Sequence, residues 1–236
     1  MQEIKKREVI IACDFQDASG VYGFLALFGN ERPFLKIGME LFYAAGPDLV
    51  RDLKSRGYRI FLDLKLHDIP NTVKKAMAVL SGYGTDICNV HAAGGIDMMK
   101  AAREGLSRPD GRDPLLIAVT QLTSIDQRRL KDELLIDRPV SDVVSEYAFN
   151  AKSAGLDGVV CSPLEVSAVR ERCGGSFVTV TPGIRFSGGP EGDQQRVTTP
   201  RAAKELGSDY IVVGRPITSS DDPLGAYRRC VEEFEN

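Results

Sequence analysis

The chain has 236 residues, 43% of them hydrophobic and 27% charged, with a net charge of −3. That length and balance suit a single domain with a sizeable core and exclude an overall basic field for nucleic acid, leaving room only for a local basic pocket. No apolar run approaches the roughly 18 residues of a membrane span, and the charged start, Met1 to Arg7, has only the strand-like Val9-Ile10-Ile11-Ala12 behind it, so neither membrane nor signal peptide is expected.

Short β-rich runs alternate with helical patterns from one end to the other. Strands are predicted at Val9–Phe15, Phe34–Gly38, Ile60–Leu66, Ile87–His91, Leu115–Gln121, Gly158–Ser162, Phe177–Thr181 and Tyr210–Gly214. Helices are predicted near Val21–Phe28, Leu41–Arg56, Thr72–Ser81, Asp97–Gly105, Ser141–Ala154, Glu165–Arg172, Pro200–Leu206 and Leu224–Glu235. Glycines at 57, 105, 155 and 207 read as helix stops. Strand-helix alternation implies a parallel sheet with crossover helices, and eight units in a chain near the typical ~250 residues match a (β/α)8 TIM barrel spanning residues 1–236 as one domain. A doubly wound sheet is the competitor, but the first turn, Asp14 to Ala18, has no GxGxxG fingerprint. Two connections are long: Thr123 to Pro139, with a short helix predicted at Gln127–Leu134, and the Gly-rich Arg185 to Thr199, a candidate lid.

The densest chemistry lies at Asp63-Leu64-Lys65-Leu66-His67-Asp68-Ile69-Pro70-Asn71-Thr72-Val73. Residues two apart share a face of a strand, so Asp63 and Lys65 should point the same way, with Asp68 just past the strand's end. The expected arrangement is one ammonium between two carboxylates. Charges inside parallel strands are informative, because those strands are normally apolar and an unpaired buried charge costs several kcal/mol. In a barrel, Asp14, Lys36, Asp63, Lys65, Thr123, Pro182, Arg185, Gly214 and Arg215 would share the C-terminal rim, where barrel enzymes keep their sites. Arg185 and Arg215 follow Gly183 and Gly214, a pattern suited to phosphate, since glycine lets backbone N–H groups approach and arginine offers a bidentate fork. Gln194 could close over that phosphate. Blander readings exist for each: a structural ion-pair plug for Lys36, Asp63 and Lys65, a helix N-cap for Asp68, a first-turn residue for Thr72, and solvated surface arginines. Alternation with Lys65 would carry His67 to the site, whereas a hydrogen-bonded rim role suits both it and His91. Two histidines and five scattered cysteines (Cys13, Cys88, Cys161, Cys173, Cys230) form no metal-ligand pattern, and the thiols fit a reducing, cytoplasmic setting.

At these residues the chain resembles the orotidine 5′-phosphate decarboxylase family in its compact single-domain form. The stretch from Asp63 to Thr72 carries the resemblance, joined by Asn89 to Gly95, Gln121-Leu122-Thr123-Ser124, Thr181 to Arg185, Asp193-Gln194 and Gly214-Arg215-Pro216-Ile217. The resemblance implies a cofactor-free, metal-free conversion of orotidine 5′-phosphate to UMP and CO2, the last step of de novo UMP synthesis, by a homodimer with shared sites. It implies a charged tetrad of Lys36, Asp63, Lys65 and Asp68, with Lys65 as proton donor to C6 and with Asp68 and Thr72 reaching the partner's site. Asp14, Lys36 and the partner's Thr72 would hold the ribose, and Thr123 the pyrimidine. Gln194, Arg185 and Arg215 would hold the phosphate, with Pro182 and the Gly214 amide lining the site. Other readings stay open at this point: a metal-dependent decarboxylase or aldolase of a sugar phosphate, a Schiff-base aldolase using Lys65, or a silent phosphate-ligand binder.

Overall fold

The computed structural model describes residues 7–107, 111, 113–187 and 197–236. Eight parallel strands close into a barrel in sequence order. They are β1 (Glu8–Ala12), β2 (Phe34–Gly38), β3 (Ile60–Leu66), β4 (Ile87–His91), β5 (Leu115–Val119), β6 (Gly158–Val160), β7 (Val178–Thr181) and β8 (Tyr210–Val213). The β1–β8 pairing, Glu8 with Tyr210 through Ile11 with Val213, shuts the cylinder. The helices are α1 (Ala18–Ala26), α2 (Met39–Ser55), α3 (Pro70–Ser81), α4 (Gly95–Leu106), α5 (Gln127–Asp132), α6 (Val140–Ser153), α7 (Val166–Cys173), α8 (Pro200–Glu205), α9 (Arg215–Thr218) and α10 (Pro223–Phe234).

Alternation along each strand divides the core in two. Ile10 and Ala12 turn into the barrel, where they join Phe34, Phe61, Ile87, Ile117, Val180 and Val212. Val9, Ile11 and Cys13 turn outward into the larger layer between strands and helices. The inward positions climb in register: Ile10 pairs with Phe34 and Ala12 with Lys36, then Lys36 with Phe61 and Gly38 with Asp63. An apolar plug therefore fills the lower barrel, and the first charges appear one layer above it.

The lower rim repeats a device. The triplets Gly84-Thr85-Asp86, Gly155-Leu156-Asp157 and Gly207-Ser208-Asp209 immediately precede β4, β6 and β8. Each aspartate accepts a backbone N–H from the preceding strand: Ile60 at 2.7 Å, Leu116 at 2.7 Å and Thr179 at 2.8 Å. Each also pairs with a cation from a helix, Lys54 of α2, Arg103 of α4 and Arg170 of α7 respectively. These carboxylates satisfy donors that would otherwise be left without a ladder partner at the strand entrance, so the rim opposite the cavity is built for stability.

Several boundaries differ from expectation. β1, β5, β6 and β8 end before the predicted residues, because the backbone leaves the ladder there to present the rim. Helix α2 is broken at Gly46 (φ 71°, ψ −174°), directly before Pro47, whose ring disfavours a helical residue ahead of it. Gly105 is no helix stop. It lies inside α4, and a Cβ there would sit 2.1 Å from the Lys74 carbonyl oxygen of α3, so it is the point where two helix backbones touch. By contrast Gly57, Gly155 and Gly207 do take the left-handed conformation of helix ends. All five cysteines are buried.

Candidate active site

One cavity of about 650 Å3 opens at the C-terminal ends of the strands. Asp14, Lys36, Asp63, Lys65, Thr123, Pro182, Arg185, Gly214 and Arg215 all line it, so β1, β2, β3, β5, β7 and β8 each deliver an expected residue to one place. The apolar floor is the top of the barrel plug, with Ala12, Phe61 and Val212.

The charges form a chain. Lys36 Nζ lies 3.1 Å from Asp14 Oδ1 and 3.4 Å from Asp63 Oδ2, and Lys65 Nζ lies 2.7 Å from Asp63 Oδ1. Asp14 is open to solvent, with its side chain 62% exposed, while those of Lys36 and Asp63 are only 11% and 10% exposed. Burial by itself would neutralise both inner groups. It would raise Asp63, but Lys36, Lys65 and hydrogen bonds from Lys65 and Asn89 outweigh it and hold the carboxyl below its ordinary value. Burial would likewise lower Lys36, but Asp63 and Asp14 outweigh it and raise the ammonium above its ordinary value. Each buried charge is thus kept by its neighbour.

The expected order is inverted within this chain. Here the carboxylate of Asp63 stands between two ammoniums, and Asp68 does not line the cavity. Asp68 is exposed, and its Oδ1 accepts the Ile69 N–H at 2.6 Å. It is not the N-cap of α3 either; that residue is Ile69, which has no side-chain cap, and Pro70 opens the helix. Thr72 is also exposed and outside the cavity. Gln194 lies outside the described residues.

Lys65 reaches Asp63 by a route that alternation does not supply. Its φ is 51°, in the left-handed region, and the β3–β4 register shifts between Leu62 and Leu66. A non-glycine residue there is held by its surroundings rather than by its own preference. The same shift takes His67 away from the site: it does not line the cavity, and its ring packs 5.7 Å from that of His91. Burial first, then His67 and Lys65, push His91 below the ordinary histidine value.

Three residues were given no individual role at the site from the sequence. Gly38 makes room for Lys36, since a Cβ there would stand 3.1 Å from Nζ. Cys13, directly under Asp14, is fully buried, and burial pushes its thiol up to about 12, which makes it a packing residue rather than a nucleophile. Asn89, 1% exposed, hydrogen-bonds both Asp63 and Lys65. A polar residue in the apolar run of β4 was the available signal for it.

After β7, the chain pairs again. Ile184 bridges Thr198 in parallel, with Arg185 N donating to Thr198 O and Thr198 N to Gly183 O, both at 3.0 Å. This pairing sets Thr198 beside Arg185, which lines the cavity. Among the described residues no group of three or more His, Cys, Asp or Glu is placed to hold a metal ion, and no helix is long and apolar enough to cross a membrane.

Known proteins resemble this chain in sequence and in fold. An orotidine 5′-phosphate decarboxylase of Bacillus caldolyticus is 56% identical over 228 residues, which covers 95% of this chain and 93% of that protein. One of Streptococcus thermophilus is 54% identical over 225 residues, covering 95% and 96%. The crystal structure of orotidine 5′-phosphate decarboxylase from Lactobacillus acidophilus matches with a TM-score of 0.88 at 44% identity, over 98% of this chain and 100% of that one. A model of the orotidine 5′-phosphate decarboxylase / HUMPS family matches residues 7–230, nearly the whole barrel. With that match and these identities, the chain belongs to the orotidine 5′-phosphate decarboxylase / HUMPS family.

Proposed function

We propose that this chain is a carboxy-lyase that converts orotidine 5′-phosphate to UMP and CO2 in pyrimidine biosynthesis, without a metal or organic cofactor, and that Lys65 supplies the proton to C6. The observation that carries the reading is the Lys65 ammonium anchored 2.7 Å from Asp63 in the same cavity that Arg185 and Arg215 line. The relatives' names support the reaction.

The chemistry follows from charge. The C6–carboxylate bond breaks and its electron pair stays on C6, an anion with no carbonyl placed to delocalise it fully. A preorganised cation is the direct aid to such a charge. The Lys65 ammonium then gives its proton to C6, CO2 departs, and the amine regains a proton from solvent. Arg185, Arg215, Gln194 and the Gly214 amide take the phosphate. Asp14, Lys36 and the partner's Thr72 take the ribose, Thr123 reads the pyrimidine, and Pro182 completes the wall. Binding of the remote phosphate contributes energy for ordering the reacting end, which is why the anion site and the ammonium belong to one cavity.

A homodimer with shared sites fits the positions of Asp68 and Thr72. Both are exposed and outside their own chain's cavity, and Ile69 between them is 67% exposed, an apolar side chain that a second copy would cover. In the dimer, Asp68 from one subunit would complete the other's tetrad. Five buried cysteines scattered along the chain support a cytoplasmic setting. No nucleic acid or membrane partner is proposed.

The test is the fall in orotidine absorbance on adding substrate, with and without chelator. Turnover that chelator leaves intact is expected. Chelator-sensitive turnover would favour a metal-dependent sugar-phosphate enzyme, borohydride trapping of substrate would favour a Schiff base on Lys65, and UMP binding without CO2 release would mean a binder.

A further inference from the structure

Asn89 is the middle residue of β4 and its side chain is buried. A buried amide costs free energy unless its donors and acceptor are satisfied, so its partners say what it is for. On the β5 side Asn89 keeps ordinary register, opposite Ile117. On the β3 side the ladder is irregular: Leu62 pairs with Cys88 and Leu66 with Val90, so extra chain bulges out over Asp63, Leu64 and Lys65. The bulge frees the Lys65 N–H from the ladder, and Asn89 Oδ1 accepts it at 2.8 Å. Asn89 Nδ2 donates to Asp63 Oδ1 at 2.7 Å, the same oxygen that the Lys65 ammonium touches at 2.7 Å. The amide orientation is determined by chemistry, because a backbone N–H can only donate and a carboxylate can only accept.

We infer that Asn89 is a positioning residue for the decarboxylation: by bridging the Lys65 backbone and the Asp63 carboxylate, it sets where the Lys65 ammonium stands. The inference rests on the reaction proposed above. Lys65 holds a left-handed backbone that a lysine adopts only when its neighbours impose it. Asn89 imposes it from the main-chain side, and Asp63 holds the far end of the side chain. An apolar residue would fill the same volume in β4 but would release both ends of this ring, and a small displacement of a reacting group is costly to rate. The amide also stabilises the ionised Asp63, because its donor favours the charged form.

The test uses Asn89→Asp and Asn89→Ser. The first keeps an acceptor for Lys65 but sets a second carboxylate against Asp63; the second shortens the bridge at both ends. Turnover of orotidine 5′-phosphate should fall roughly 10- to 100-fold in both, the range for losing hydrogen bonds to charged groups. UMP affinity should stay at the parent value, because Arg185, Arg215 and Thr123 line other parts of the wall. The acid limb of the pH profile should move to higher pH in Asn89→Ser, which a merely structural role would not produce. Parent-like turnover in Asn89→Ser, or loss of turnover and UMP affinity in step in both variants, overturns the inference. Should neither variant fold, hydrogen exchange on the unaltered protein decides: a Lys65 amide as slow as its β3 neighbours supports the bridge, and one as fast as loop amides overturns it. An inactive parent would instead sink the proposed reaction, so the two failures are distinct.

Discussion

Removing Lys65 puts a number on the charge chain. At an effective dielectric of about 20, an ammonium about 4 Å from the developing C6 charge contributes about 4 kcal/mol, or about a thousandfold in rate. Repulsion between Asp63 and that charge is present in both proteins and cancels in the comparison, so Lys65→Ala should lose about a thousandfold in turnover before the lost proton donor is counted. The fold should barely notice. Asp63 keeps Lys36 at 3.4 Å and Asn89 at 2.7 Å, and the Lys65 side chain is already a quarter exposed, so about 1 kcal/mol of stability is at stake. Alanine adds no backbone strain at φ 51°, since any residue with a Cβ meets the same clash. The assay is orotidine absorbance for turnover, with UMP binding as the control for folding. Turnover within about a hundredfold of the parent, with UMP binding intact, would refute the electrostatic argument.

Three further outcomes are expected. Mixing inactive Lys65→Ala and Asp68→Ala subunits should restore activity in hybrid dimers that place one unaltered site across the interface; subunits that exchange without any return of activity would end the shared-site reading. Asp157→Ala should lower stability by about 1–3 kcal/mol in denaturant titration, because the Leu116 N–H loses its acceptor at the barrel entrance, while turnover per folded molecule is unchanged. On pH, Asp63 is depressed from 3.8 and Lys36 raised from 10.5. The Asp63 contribution is therefore whole above 3.8 and lost as pH falls through its folded value, and the Lys36 contribution is whole below 10.5 and lost as pH rises through its own. Melting temperatures of the parent and Asp63→Asn should draw together as pH falls below 3.8, and a gap that widens there would contradict the sign.

The fold class was legible in the linear pattern because each βα unit is local. Apolar runs such as Ile60 to Leu62, helix-ending glycines at 57, 155 and 207, and the strand-helix count need no long-range information. The gathering of Asp14, Lys36, Lys65, Arg185 and Arg215 on one rim followed too, since every parallel strand points its C-terminal end the same way. The repeated Gly-x-Asp before β4, β6 and β8 was present in the letters as well and passed unread.

What only the tertiary structure decided depends on contacts between residues distant in the chain. Alternation predicts that Lys65 and His67 point together. A bulge against β4 turns Lys65 to Asp63 and leaves His67 on His91, and no local rule contains that register shift. Gly105 reads as a stop until the Lys74 carbonyl of another helix is seen against it. The Asp63 carboxylate lies between Lys36 and Lys65, and Asn89 holds two of the three members, because strands β2, β3 and β4 are neighbours in the closed barrel. Sequence carries the inventory of charges and the order of the strands. Which charge neutralises which is settled by register, and register is a property of the assembled sheet.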